Sequence, residues 1–136
     1  MNLYLDDERP LPAGYDRKAT TAPEAVALLR AGGVEALSLD HDLGPPEAGT
    51  GYDVAVFVEE AAFKWSRGED GGLPPVKLAC HSANPAGAAR INWAISRAMR
   101  FWAVGARRLA GTLPAPKPHK PRYAPTGTEY LDWVLE

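Results

Sequence analysis

The chain has 136 residues, a net charge of -2 and a single cysteine, Cys80. This length suits one domain with an ordinary hydrophobic core, and the absence of a broad basic field argues against binding to duplex DNA. No apolar run reaches the roughly 18–20 residues that a membrane span needs. The unpaired cysteine favours a reduced, cytoplasmic setting, and no signal peptide is expected at the N-terminus.

The first predicted element is a short buried strand over residues 2–6, which ends at Asp6 and Asp7. Its apolar residues form a continuous run, which is typical of parallel strands that are covered on both faces. Residues 8–15 contain two prolines and one glycine. This composition favours a loop and leaves no room for a helix there.

A short edge strand and a helix are predicted next. Residues 16–20 fit the strand, although their polarity is high for a sheet. Thr21 and Glu24 have the spacing of a capping box, which starts a helix. The helix is expected to end at the glycine pair Gly32 and Gly33.

The second buried strand is predicted over residues 35–40, and it ends in an acidic and histidine-containing segment. Asp40, His41 and Asp42 follow one another at this end. Residues 44–51 are rich in glycine and proline, so they are expected to form a loop.

A third buried strand lies between two further helices. Thr50 and Asn84 are the predicted N-terminal caps of these helices. Residues 76–80 form the strand between them, and it ends at His81 and Ser82. Strands that alternate with helices predict an α/β fold with a three-layer parallel sheet of the flavodoxin or receiver type.

The apolar pattern weakens after residue 104, which predicts a division of the chain into two parts. Residues 1–104 form the α/β domain. Residues 105–136 form a basic, proline-rich extension, and residues 129–136 have the pattern of a short terminal helix. A stretch of this composition is typical of an extended linker, but its basic residues could also contact RNA phosphates.

The acidic residues at the strand ends predict a metal site. Ligands bind at the carboxyl ends of the strands in open α/β sheets, so the aspartates Asp6, Asp7, Asp40 and Asp42 are expected to meet. Two like charges 4 Å apart repel by roughly 4 kcal/mol at an effective dielectric of 20. Either some of the carboxyl groups stay protonated or a cation neutralises them. Oxygen ligands favour Mg²⁺, with Mn²⁺ as a substitute.

Two histidines and four other residues complete the predicted site. His41 and His81 follow different strands and could act as base and acid on a phosphorus ester. They could also bind a transition metal with the aspartates, or have structural roles. Phosphate-binding candidates are a loop arginine, the start of a helix and a glycine that permits close approach, namely Arg9, Ser82, Asn84 and Gly51.

Four sequence strings resemble a known family, and they occur in the family's order. They are LYLDDERP, SLDHDLG, TGYDV and HSANPAG, all within residues 1–95. The acidic pair that follows the first strand is similar to part of the pocket of response-regulator receiver domains. Asp40 and Ser82, which follow the later strands, are similar to two further residues of that pocket. The full strings are more similar to an offshoot, the cyclic-phosphate processing receiver-like domains.

This resemblance implies a receiver-like fold in which the acidic pair binds Mg²⁺ and Asp40 is the phosphoacceptor or nucleophile. It also implies action on cyclic phosphates. Three departures from ordinary receivers are expected: a reduced first helix, the absence of a fifth strand that ends in the receiver lysine, and two histidines in the pocket. These departures argue against a standard phosphorylation switch.

The sequence therefore predicts a metal-dependent phosphoesterase that processes a small cyclic nucleotide or an RNA 2′,3′-cyclic end. One alternative is a regulatory module phosphorylated on Asp40. Another is a sensor that binds a cyclic nucleotide without cleaving it.

Overall fold

The computed structural model describes residues 1–111 and shows a parallel sheet with helices between its strands. In chain order the elements are β1 (Asn2–Leu5), β2 (Arg17–Ala19), α1 (Ala22–Ala31), β3 (Ala36–Leu39), a 3-10 turn (Pro46–Ala48), α2 (Gly51–Arg67), β4 (Lys77–Cys80) and α3 (Pro85–Leu109). The strand order in the sheet is β2-β1-β3-β4. The α/β fold with a parallel sheet is confirmed, including the short edge strand.

The register of the sheet brings three strand ends to the same level. Leu5 of β1 pairs with Leu39 of β3, and Leu39 pairs with Cys80 of β4. The hydrogen-bond ladder continues one step further, since the Asp40 N–H donates to the Leu5 carbonyl at 3.0 Å. The His81 N–H likewise donates to the Leu39 carbonyl at 3.0 Å. The residues that follow these strands are therefore neighbours across the edge of the sheet.

The two faces of the sheet have different coverings. Alternate strand residues, namely Leu3, Leu5, Leu37 and Leu39, belong to the same buried core as the helices. α1 packs on α2, and α2 packs along α3, so the three helices cover this one face. The opposite face carries Tyr4, Ser38 and Ala79 in register. Of the three predicted layers, residues 1–111 supply the sheet and one helical layer, and they contain no element for the third.

The helices begin at the predicted caps. The Thr21 hydroxyl accepts from the Glu24 N–H, and Thr50 forms a complete capping box with Asp53. The Asn84 side chain accepts from the Gly87 N–H. Each cap satisfies backbone donors that have no partner within the helix.

α3 is longer than the sequence pattern predicts. It continues to Leu109, so the boundary predicted at residue 104 falls inside this helix. Phe101, Trp102 and Val104 are buried and hold its second half against the body. The extension over residues 112–136, with its predicted terminal helix, lies outside the described residues, and the division into two parts stays a prediction. Within residues 1–111, no helix has both the length and the apolar character to cross a membrane.

A buried ion pair lies between α2 and α3. Glu59 and Arg97 are 2% and 4% exposed, and the Arg97 Nε contacts the Glu59 Oε1. Burial raises the pKa of Glu59 to about 7, against the opposing effect of the Arg97 charge. The Arg97 guanidinium also lies over the Trp93 ring, 5.5 Å from its centroid. This pair therefore couples the two most extensively packed helices through charge.

Candidate active site at the carboxyl edge of the sheet

Three residues converge where β1, β3 and β4 end. One ligand atom from each of Asp6, Asp40 and His81 lies within 4.8 Å of the other two. Asp6 is 1% exposed, whereas Asp40 and His81 are partly buried. The level strand ends produce this cluster directly, because each of the three residues immediately follows its strand.

Asp6 is held as a carboxylate by donors on both of its oxygens. Its Oδ1 accepts from the N–H groups of Glu8 and Arg9, each at 2.8 Å. Its Oδ2 lies 2.9 Å from the Nε2 of His81. Burial acts to raise the pKa of Asp6, but these hydrogen bonds outweigh it and hold the pKa below its usual value.

Asp40 is in a less favourable environment for its charge. Burial and the nearby Asp6 charge raise its pKa, while His81 and hydrogen bonds from the His41 N–H and the Ser82 hydroxyl oppose this. The His41 N–H lies 2.9 Å from the Asp40 Oδ1. Two adjacent carboxylates thus repel each other at this edge, which is the electrostatic setting that a cation relieves.

His81 has partners on both ring nitrogens. Its Nδ1 lies 2.7 Å from the Ser38 Oγ, and its Nε2 contacts Asp6. The Tyr4 ring stacks on the imidazole with a centroid distance of 4.3 Å and an interplanar angle of 8°. The Arg9 guanidinium donates to the His81 carbonyl at 2.9 Å. The ring is therefore fixed in both position and plane.

His41 is held by a different set of partners. Its Nδ1 lies 2.9 Å from the Asp42 Oδ1, and its ring packs against the backbone of Gly87 in α3. Hydrogen bonds from His41 and from Asn84 lower the pKa of Asp42. His41 and Asp42 thus form a pair at the start of α3, separate from the hydrogen bonds of His81.

The acidic cluster opens into a cavity of about 360 Å³. Its lining contains five predicted charged residues, namely Asp6, Asp7, Arg9, Asp40 and Asp42, together with Glu8, Gly44 and Ala83. Asp7 and Asp42 line the cavity but do not belong to the three-residue cluster. A larger groove of about 650 Å³ lies at the opposite end of β3 and β4, beside Val34 and Val76, and contains no acidic cluster.

The donor atoms fit a hard divalent cation better than a softer transition metal such as Zn²⁺ or Cu²⁺. Two carboxylates approach each other, and carboxylate oxygens are the ligands that Mg²⁺ and Mn²⁺ prefer. A transition metal that used His81 would have to displace one of its two hydrogen bonds. Asp6 and Asp40 are therefore the residues suited to hold a cation, with Asp7 and Asp42 nearby.

The remaining predicted residues have partners within the protein. The Ser82 hydroxyl accepts from the Asn84 N–H at 3.1 Å. The Asn84 side chain caps α3 and also donates to Asp42 at 3.2 Å. A Cβ on Gly51 would lie 1.8 Å from the Asp40 carbonyl oxygen. The close approach that Gly51 permits is therefore to the backbone of Asp40.

Gly51→Ala is expected to destabilise the protein by about 1–3 kcal/mol, because the added methyl group meets a rigid backbone carbonyl. Gly87→Ala is a second variant of the same kind. Its methyl group would lie 2.3 Å from the Cγ of His41 and 2.8 Å from its Cβ, which cannot move away without a shift of the backbone. Urea unfolding measures the loss of stability in both variants. A Gly51→Ala protein as stable as the wild type would contradict this interpretation.

Two residues of the site, Ser38 and Tyr4, were not predicted from the sequence. Both precede a predicted site residue by two positions, Ser38 before Asp40 and Tyr4 before Asp6. Side chains two apart in a strand share a face, so this spacing was the available signal. Without the neighbouring strand, however, it does not identify their common partner, His81.

The fold and this acidic edge define a receiver-like α/β domain. A family model described as the cyclic-phosphate processing receiver domain matches residues 1–97. The chain therefore belongs to the cyclic-phosphate processing receiver family, as the four sequence strings predicted. No curated protein and no solved structure matched the chain.

Proposed function

We propose that the protein is a metal-dependent phosphoesterase that opens a cyclic phosphate, either a small cyclic nucleotide or an RNA 2′,3′-cyclic end. The observation that carries this proposal is the convergence of Asp6, Asp40 and His81 beside a cavity that also contains Arg9. Membership of a family linked to cyclic-phosphate processing supports it. The cavity volume is within the range of about 300–1,000 Å³ that is typical of small-molecule sites.

The acidic residues and Arg9 have complementary roles in this proposal. Asp6 and Asp40 hold Mg²⁺ or Mn²⁺, which supplies positive charge to the phosphate oxygens. Arg9 provides a second positive group, and 48% of its side chain is exposed although it is anchored to the His81 carbonyl. A guanidinium can bind two phosphate oxygens at once.

Ring opening requires a base and an acid. Water loses a proton to the base as it adds to phosphorus, one ring P–O bond breaks, and the released oxygen takes up a proton from the acid to leave a phosphomonoester. His41 does not line the cavity itself, but it lies between two residues that do, Asp40 and Asp42, and its side chain is 15% exposed. It is the stronger candidate for the base, because an Nδ1–H bonded to the Asp42 carboxylate leaves Nε2 with a free lone pair. In the hydrogen-bonded arrangement of His81, neither ring nitrogen has a free lone pair.

The test is a chromatographic or phosphorus NMR assay of the purified protein with Mg²⁺ or Mn²⁺. The substrates are 2′,3′-cyclic nucleotides, 3′,5′-cyclic nucleotides and an RNA with a cyclic-phosphate end. We expect turnover of at least one of them and its loss when EDTA removes the cation. No turnover of any substrate with either cation would contradict the proposal.

A second candidate is the regulatory module phosphorylated on Asp40. The hydrogen bond between Ser82 and Asp40 favours it, because a hydroxyl there would also reach a phosphoryl group. Within residues 1–111, however, no lysine forms an ion pair with Asp6 or Asp40. Incubation with acetyl phosphate separates the candidates, since a stable phosphorylated Asp40 without turnover would favour the module.

A further inference from the structure

Ser38 is a buried hydroxyl that directly contacts a residue of the site. It is 4% exposed and lies in the middle of the sheet, between Tyr4 of β1 and Ala79 of β4. Its Oγ is 2.7 Å from the Nδ1 of His81. Because few polar side chains of the described residues are buried to this degree, the contact calls for a specific explanation.

The hydrogen bonds around His81 define where its protons lie. An ionised carboxylate only accepts hydrogen bonds, so the Nε2 that faces Asp6 must carry a hydrogen. In a neutral imidazole the Nδ1 then has a lone pair, and the Ser38 hydroxyl is its donor. Ser38, His81 and Asp6 thus form a directed chain of hydrogen bonds.

This chain does not make Ser38 a nucleophile, although it contains a serine, a histidine and an aspartate. The nucleophile of a hydrolase has to reach its substrate, and Ser38 is enclosed by the sheet and by the His81 ring. The cavity lining also does not include Ser38. Its effect on the site must therefore pass through His81.

We propose that Ser38 is a positioning residue that fixes the tautomer of His81, so that the Nε2–H of His81 orients Asp6 toward the cation. This inference rests on the proposed function of the site. Hydrogen-bond partners of metal-ligating side chains orient those ligands, and losing one typically weakens metal affinity by roughly 10–100-fold. Here the histidine lies between the serine and the carboxylate and is not itself a ligand.

The test combines tautomer and affinity measurements on the full chain. Nitrogen-15 NMR of labelled histidine distinguishes a protonated Nε2 from a protonated Nδ1, and calorimetry measures Mn²⁺ affinity without substrate. At a pH at which the ring is neutral, we expect His81 of the wild type to be protonated on Nε2 and not on Nδ1. In Ser38→Ala we expect a mixture of tautomers and Mn²⁺ binding weakened by roughly tenfold, and Ser38→Thr should restore both.

Ser66→Ala is the matched control, because it also removes a buried hydroxyl. The Ser66 Oγ donates to the Phe63 carbonyl within α2 and does not belong to the site. We expect it to leave the His81 tautomer and the Mn²⁺ affinity unchanged. An unchanged tautomer in Ser38→Ala, or equal loss of affinity in both variants, would overturn the role of Ser38.

The outcomes also separate this inference from the proposed function. If no cyclic phosphate is cleaved but Ser38→Ala shifts the tautomer and weakens Mn²⁺ binding, the phosphoesterase fails and the role of Ser38 stands. If turnover is present and Ser38→Ala changes neither readout, the function stands and the inference about Ser38 fails. A wild-type protein that binds no Mn²⁺ would overturn the inference as well.

Discussion

Asp40→Asn is expected to lower kcat/KM for the cyclic phosphate by roughly 10²–10³-fold or more. The substitution keeps the shape of the side chain but removes one of the two charges that we propose hold a cation, the other being that of Asp6. Steady-state kinetics measure the loss, and calorimetry should show weaker Mn²⁺ binding. Activity near the wild-type level would contradict the assignment of Asp40.

The stability of the same variant distinguishes a lost function from a lost fold. The raised pKa of Asp40 means that its favourable contribution to folding is complete below its unfolded-state pKa and is lost as the pH rises through the folded-state value. Asp40→Asn removes the repulsion between the carboxylates of Asp40 and Asp6. At neutral pH we therefore expect a Tm equal to that of the wild type or higher. Asp70→Asn, at an exposed position after α2, is the control and should keep full activity.

Arg97→Ala is expected to cost about 3–5 kcal/mol of unfolding free energy at pH 8, because it leaves Glu59 buried without a counter-charge. Urea unfolding measures this loss. Arg90→Ala, at an exposed position on the same helix, is the control and should change the stability little. A loss no larger for Arg97→Ala than for Arg90→Ala would show that the pair contributes little.

The pH dependence of this loss provides a second test. The folded-state pKa of Glu59 is raised to about 7 from its ordinary value of 4.5. Its contribution to stability is thus complete below about 4.5 and is lost as the pH rises through about 7. Without Arg97 the pKa rises further, so the destabilisation should be smaller at pH 5 than at pH 8. Adding Glu59→Gln to Arg97→Ala should recover much of the stability at pH 8.

The strands, the helix caps and the edge of the site could be predicted because local patterns encode them. The run over residues 35–40 and the spacing of Thr50 and Asp53 depend only on near neighbours in the sequence. Level strand ends then follow from the rule for parallel sheets. The convergence of Asp6 and Asp40 could therefore be predicted from the local patterns together with this rule.

Other features depend on contacts between distant residues, and the sequence did not reveal them. The apolar pattern weakens after residue 104, yet Gly105 is buried against Trp65, where a Cβ would lie 2.5 Å from the ring. α3 therefore continues past the predicted boundary. Likewise, the role of Ser38 depends on its hydrogen bond with His81, which lies 43 positions away in the chain.

The assembly of the site from separate strands links ligand binding to folding. Asp6 and His81 are 75 positions apart, and only the paired sheet brings them together. An unfolded chain has no such arrangement, so a ligand of this site binds the folded state alone. At a free concentration 100 times its dissociation constant, it would add about 2.7 kcal/mol to the free energy of unfolding. A thermal melt in the presence of candidate cations and nucleotides would thus identify the ligands of this edge before any reaction is known.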